Sequence, residues 1–146
     1  MVDQVWNSVI AELQKGVEEK SHPFKFATLA TLGLERLPRL RTIKIRAFDP
    51  ESLQMTFYTD SRSKKILHIK ENNKVSLLLY HPEKLLQLRI EGLAIRERDE
   101  EVLKDHWMRL DGNGQRDYTS STAPGTEIMN PEKIEYLDQD AYFSLV

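Results

Sequence analysis

The sequence predicts a mainly β protein, a small antiparallel barrel with a few helices packed on its outside. Three observations carry that prediction. Strand-like runs recur five times at hairpin spacing between residues 24 and 97, divided by turn-forming residues. Short helical patterns flank these runs. The fifth run, Leu85–Glu97, is long enough to bend around a barrel corner. With no internal repeat and no linker-like stretch, residues 1–146 read as a single domain.

Composition narrows the function classes. A chain of 146 residues with 40% hydrophobic and 30% charged content can bury a sizeable core. Its formal net charge of −2 gives no global field that would draw it to nucleic acid or an anionic membrane. Local basic clusters therefore carry more information than they would on a basic chain. The lack of cysteine excludes disulfides, thiolate zinc sites and cysteine nucleophiles. Met1–Trp6 has neither a basic n-region nor an apolar core, and no apolar run approaches the roughly twenty residues of a membrane span. The expectation is a cytoplasmic protein.

The first helix is expected from an Asp3 N-cap to about Lys20, because Val5, Val9, Leu13 and Val17 form one apolar stripe. Gly16 weakens its C-terminal half. Alternation predicts a first strand at Phe24–Leu32 and a turn through Gly33 to Pro38. Arg39–Phe48 follows as the second strand, and Asp49-Pro50-Glu51-Ser52 is a second turn. Leu53–Thr59 is the third strand. A short helix follows through about Glu71, capped by Ser61 or Ser63 and anchored by Ile66, Leu67 and Ile69. Lys74–Tyr80 is the fourth strand. In the fifth, Gly92 marks a bulge or a close approach. Asp99 caps a helix to Leu110, Asp111–Gly125 reads as a loop, and the chain ends in a strand-like Ala141–Val146.

The second strand is the anomaly. It carries Arg39, Arg41, Lys44 and Arg46 and no acidic residue. On a pleated strand Arg39 and Arg41 share a face with Ile43 and Ile45, while Thr42, Lys44 and Arg46 share the other. Cations on both faces point to an anionic ligand beside a core. A second basic cluster, Arg62, Lys64 and Lys65, opens the short helix, where free N–H groups and hydroxyls of Thr59, Ser61 and Ser63 add to it. Solvated surface lysines are the ordinary fate of such a pair. Its nearness to the basic strand argues instead for a phosphate site. His22, His68, His81 and His106 lack metal-ligand spacing. Gly112-Asn113-Gly114 lacks the rest of a dinucleotide fingerprint, and Trp107 has the helical spacing of a core residue.

Three stretches together resemble the pyridoxamine 5′-phosphate oxidase-like family, and within it the short flavin-binding branch. They are Arg41-Thr42-Ile43-Lys44-Ile45-Arg46, Phe57-Tyr58-Thr59-Asp60-Ser61-Arg62-Ser63-Lys64-Lys65 and Gln87-Leu88-Arg89-Ile90-Glu91-Gly92. The branch pattern is Arg-Thr-x-x-x-Arg, Thr-Asp-x-Arg-Ser-x-Lys and Gln-x-Arg-x-x-Gly. The resemblance implies an FMN-binding split barrel, a homodimer with flavin at the subunit interface and a small-molecule substrate. It places Arg41, Thr42, Ile43, Lys44 and Arg46 along the flavin and its phosphate, and Tyr58 and Thr59 at the ribityl-phosphate region. Ser63, Lys64 and Lys65 fall at the phosphate, and Gln87 at the isoalloxazine edge. Arg46 and Arg109 are the substrate candidates.

The sequence also departs from the true oxidases, which carry a downstream tryptophan and a C-terminal Arg-x-His. Here the tryptophans are Trp6 and Trp107, no histidine follows His106, and Asp105 stands where a tyrosine is expected. The first reading is therefore an FMN-dependent oxidoreductase that moves a hydride from a small substrate to FMN. The alternatives are a true pyridoxamine or pyridoxine 5′-phosphate oxidase, or a non-catalytic small barrel that carries flavin or binds nucleic acid. The cationic strand has no aromatic residue before Phe48, which counts against nucleic acid.

Overall fold

Helix α1 spans Val2–Glu18, and its apolar stripe decides where it sits. The structure, a computed structural model, describes residues 1–111, 114 and 143–146. Leu13 is buried in the core, with Val9 and Val17 packed against it. The N-cap is Met1, without a side-chain bond, so the expected cap at Asp3 is corrected: Asp3 lies in the first turn. There its charge complements the helix dipole. Gly16 does more than weaken the helix. A Cβ there would lie 2.7 Å from Phe24 Cβ, so glycine lets the 3-10 turn Pro23–Lys25 press against α1. That turn also shortens the first strand, which starts at Phe26 rather than Phe24.

Among the described residues six strands form one antiparallel sheet: β1 Phe26–Leu32, β2 Pro38–Asp49, β3 Gln54–Asp60, β4 Lys74–His81, β5 Leu86–Leu93 and β6 Phe143–Leu145. Their order is β5-β4-β1-β2-β3-β6. The inner face supplies Ala27, Leu29, Ile43, Ile45, Phe57 and Leu79 to one core, which α1 and α2 (Lys64–Glu71) close with Leu13 and Ile69. β5 and β6 are the two ends of the sheet order, so the barrel is split. A cavity of about 430 Å³ opens where β3 faces β5 and the chain that follows it.

The fifth strand is shorter than expected at both ends. Leu85 has φ 50°, outside the extended region. At the other end Leu93 pairs with Lys74, the first residue of β4, so the partner strand is exhausted. The β4–β5 register runs unbroken through Val75–Gly92. A Cβ on Gly92 would meet nothing within 4 Å. Among the described residues Gly92 therefore marks neither a bulge nor a close approach, and it lines the cavity instead. The bulge lies in β2, where Ile45 pairs with Phe57 and Ala47 with Thr56, leaving Arg46 as the extra residue.

Helix α3 (Glu100–Arg109) is capped as expected by Asp99, whose carboxylate accepts from the N–H groups of Glu101 and Val102. The expected loop at 111–125 lies outside the described residues apart from 111 and 114. No helix among the described residues is long and apolar enough to cross a membrane.

Candidate functional site: a cationic pocket between β2 and the start of α2

The alternation of β2 sends Arg41 to the inner face, in line with buried Ile43 and Ile45. There it meets the end of β1. Its Nη1 donates to Thr31 Oγ1 at 2.6 Å and to the carbonyl of Arg39 at 3.2 Å. Burial lowers its pKa.

Lys65 arrives from the other side, in the first turn of α2. Ser63 caps that helix and takes the Lys65 backbone N–H at 3.4 Å. The Lys65 ammonium donates to Thr59 Oγ1 and Ser63 Oγ, both at 2.8 Å. Burial, then the charge of Arg41, lowers the Lys65 pKa to about 8, with Asp60 acting the other way. Asp60 is engaged elsewhere: its carboxylate accepts from the backbone N–H and Nε of Arg62 and forms a 2.5 Å ion pair with Nη2. Two half-buried cations thus lie within electrostatic reach of one another, Arg41 on the hydroxyl of Thr31 and Lys65 on those of Thr59 and Ser63, and the charge of Arg41 raises the cost of charging Lys65. An anion placed between them would relieve that cost. Arg62, grouped with the lysines on sequence grounds, is corrected to a structural partner of Asp60.

On the outer face the bulged Arg46 places its guanidinium 5.0 Å from the centre of the Tyr58 ring. Tyr58 shares a 2.7 Å hydrogen bond with His106 Nδ1 on α3. Burial, followed by the charge of Arg109, lowers the His106 pKa. Arg109 is therefore within electrostatic reach of this cluster, though exposed. Thr42 is exposed and Lys44 half-buried on the same outer face. Ile43 is a core residue, so only its backbone is available to a ligand. Lys64 is exposed at the start of α2.

Gln87 is exposed on β5 opposite Tyr80, four places from β3 in the sheet order.

Sequence reasoning missed Thr31, His68 and His106. Thr31 looked like one more alternating strand residue, and the histidines were judged only for metal spacing. Yet His68 is buried, with Nδ1 3.0 Å from Thr31 Oγ1 and 3.4 Å from Arg41 Nη2. A third histidine cluster is structural. Buried Glu12, His22 and His81 bring potential ligand atoms within 4.8 Å of one another. However, the Nδ1 atoms of His22 and His81 each accept a backbone N–H, from Phe24 and Lys84. In neutral rings that leaves the proton on Nε2, the nitrogen facing Glu12, with no lone pair there for a metal. The Lys84 ammonium occupies the other carboxylate oxygen. The group ties α1 to the start of the β4–β5 turn.

The family model for the pyridoxamine 5′-phosphate oxidase FMN-binding domain matches residues 3–96. Among curated proteins, the pyridoxine/pyridoxamine 5′-phosphate oxidase of Christiangramia forsetii is 26% identical over 133 residues, covering 89% of this chain and 59% of that protein. That of Rubrobacter xylanophilus is 37% identical over 73 residues, 50% of this chain and 33% of that protein. The chain thus spans less than two thirds of these relatives. Among solved structures, an FMN-binding protein related to pyridoxamine 5′-phosphate oxidase from Nostoc punctiforme superposes with a TM-score of 0.75 at 20% identity, covering 95% of this chain and 76% of that one. PhzG of Burkholderia lata, solved with tetrahydrophenazine-1-carboxylic acid, gives 0.71 at 21% identity, covering 99% and 74%. These likenesses show the fold.

Proposed function

Since the chain belongs to the pyridoxamine 5′-phosphate oxidase FMN-binding domain family, we propose that it binds FMN and oxidises a small substrate with it. The observation that carries the reading is the Lys65 ammonium seated on the hydroxyls of Thr59 and Ser63, with the Arg41 guanidinium, held on Thr31, within electrostatic reach of it. This donor set fits a phosphate. It offers charge, several N–H and O–H donors, and an acid, Asp60, already engaged with Arg62. Bound FMN would supply hydride acceptance and reoxidation by dioxygen. The chain's own residues hold the phosphate and present Arg46, Tyr58 and His106 on the outer face. Arg109 stands near that cluster as a substrate-side cation.

The same reading calls for a homodimer. The outer sheet face exposes Phe26 (54%), Leu40 (68%), Leu78 (40%) and Tyr80 (50%), an apolar surface that a second copy would cover. In that arrangement the second copy would supply its Gln87 to the shared site.

Titration of the protein with FMN, followed by quenching of flavin fluorescence, tests the reading. Wild type should bind FMN well and riboflavin poorly. Arg41→Ala and Lys65→Ala should each weaken FMN by about 10- to 100-fold, the range for one charge-assisted hydrogen bond. Unchanged affinity in both variants would remove the phosphate assignment. Hydrogen peroxide release with pyridoxamine 5′-phosphate would then identify a true oxidase; binding without it leaves another small substrate.

A further inference from the structure

Arg41 is held by two buried residues, Thr31 and His68, that are not themselves part of the donor set proposed for the phosphate. A guanidinium can only donate, so the 2.6 Å bond from Arg41 Nη1 uses Thr31 Oγ1 as acceptor. The Thr31 hydroxyl proton must then point elsewhere, and His68 Nδ1 lies 3.0 Å away. Nδ1 also faces Arg41 Nη2 at 3.4 Å. Both neighbours are donors, which leaves Nδ1 as the acceptor and the ring proton on Nε2. Thr31 is 3% exposed and His68 7%, so water offers no ready substitute. The β-branched threonine is stiff at χ1, which suits it as a fixed anchor.

We propose that Thr31 and neutral His68 are positioning residues that orient Arg41 toward the phosphate, so that protonation of His68 releases the arginine and loosens the cofactor. The inference rests on the FMN reading above. The groups facing His68 support it. Arg41 and Arg39 come from β2, Lys64 from its own helix and uncharged Thr31 from β1, with no carboxylate acting on the ring among the described residues. Burial first, then these cations, lowers the His68 pKa, so the ring is neutral at neutral pH. Its protonation would turn Nδ1 into a donor and set a second cation beside Arg41 Nη2.

The sign is then fixed. FMN affinity falls as pH drops through the His68 pKa, beyond the fall caused by the second ionisation of the phosphate itself, near pH 6. If His68 instead contributed charge to the site, protonation would tighten binding.

The test measures FMN and riboflavin affinity from about pH 7.5 down to about pH 4.5, past the range of an ordinary histidine, because burial and the neighbouring cations lower the His68 pKa. His68→Asn keeps an amide near the Nδ1 position without a titratable ring. It should bind FMN within about threefold of wild type at the upper pH and lose less affinity on acidification. Thr31→Val should weaken FMN by about tenfold while leaving riboflavin unchanged, and Thr31→Ser should restore it. Nitrogen-15 spectra of wild-type His68 at neutral pH should show a neutral ring protonated on Nε2, a reading that needs no variant to fold. An acid limb identical in wild type and His68→Asn, or a ring protonated on Nδ1, would overturn the inference while leaving FMN binding intact. Wild type that binds no FMN at any pH would overturn the cofactor reading, and this one with it.

Discussion

At the scale of single residues, Lys65 carries the sharpest consequence. Its pKa in the fold, about 8, lies below the ordinary 10.5 of lysine because burial and Arg41 both disfavour the charge. The sign follows from linkage. Below about pH 8 the folded protein bears the unfavourable charge; between 8 and 10.5 the folded form has shed the proton that the unfolded chain still holds. Raising pH across that window therefore removes a cost of folding. A bound anion works the other way, stabilising the charged ammonium and pulling its pKa back up. Inorganic phosphate should accordingly raise the melting temperature at pH 7 and do so much less near pH 10, in scanning calorimetry at constant ionic strength. Equal stabilisation at both values would mean that phosphate binds elsewhere. Lys65 and Arg41 were legible in the sequence because cations in a strand and at a helix start are conspicuous by type. Thr31 and His68 were not, because their meaning lies in a contact between β1 and α2 that no local pattern records.

At the scale of elements, strand positions were readable wherever side-chain alternation met a turn signal. β2 appears as Pro38–Asp49 against an expected Arg39–Phe48, and β4 as Lys74–His81 against Lys74–Tyr80. Boundaries failed where a neighbour decides them. β5 stops at Leu93 because β4 has run out, and β1 starts late because Phe24 is pinned to α1. Gly16 shows the same limit. From the sequence it is a weak helix position; in the fold it is the gap that admits Phe24, buried to 1% exposure. Gly16→Ala would gain up to about 1 kcal/mol of helix propensity. It would also force Cβ into backbone and Cβ atoms of Phe24 that cannot swing aside, at about 1–3 kcal/mol of overpacking. The net effect expected in urea unfolding is a lower midpoint with an unchanged slope. A raised midpoint would show that propensity dominates and that α1 can shift away from the turn.

At the scale of the whole molecule, the question is whether one chain or two assemble the flavin site. Gln87 on β5 and the β3–α2 corner that holds Lys65 lie four places apart in the sheet order, while β3 faces β5 across the cavity. If two copies share one cofactor, as proposed, the exposed apolar outer face gives them a surface on which to meet. Complementation separates shared from unshared sites. Lys65→Ala and Gln87→Ala homodimers, each with weakened FMN binding, would be mixed under conditions that exchange subunits. With shared sites, every mixed dimer contains one site with both native residues and one with neither, so a class of sites with wild-type affinity appears in the FMN titration. With sites built from a single chain, every site in the mixture still lacks one residue, and mixing recovers nothing. A monomer in analytical ultracentrifugation that binds FMN with wild-type affinity would dismiss the shared site directly. A Leu78→Lys substitution should give the converse result, since a charge on the outer face between Thr28 and Arg89 would oppose pairing. It would split the dimer and lower FMN affinity together, although Leu78 lies on the sheet face opposite Arg41, with β1 between their strands. Loss of the dimer with full retention of FMN would place the whole cofactor on one chain and leave Gln87 outside it.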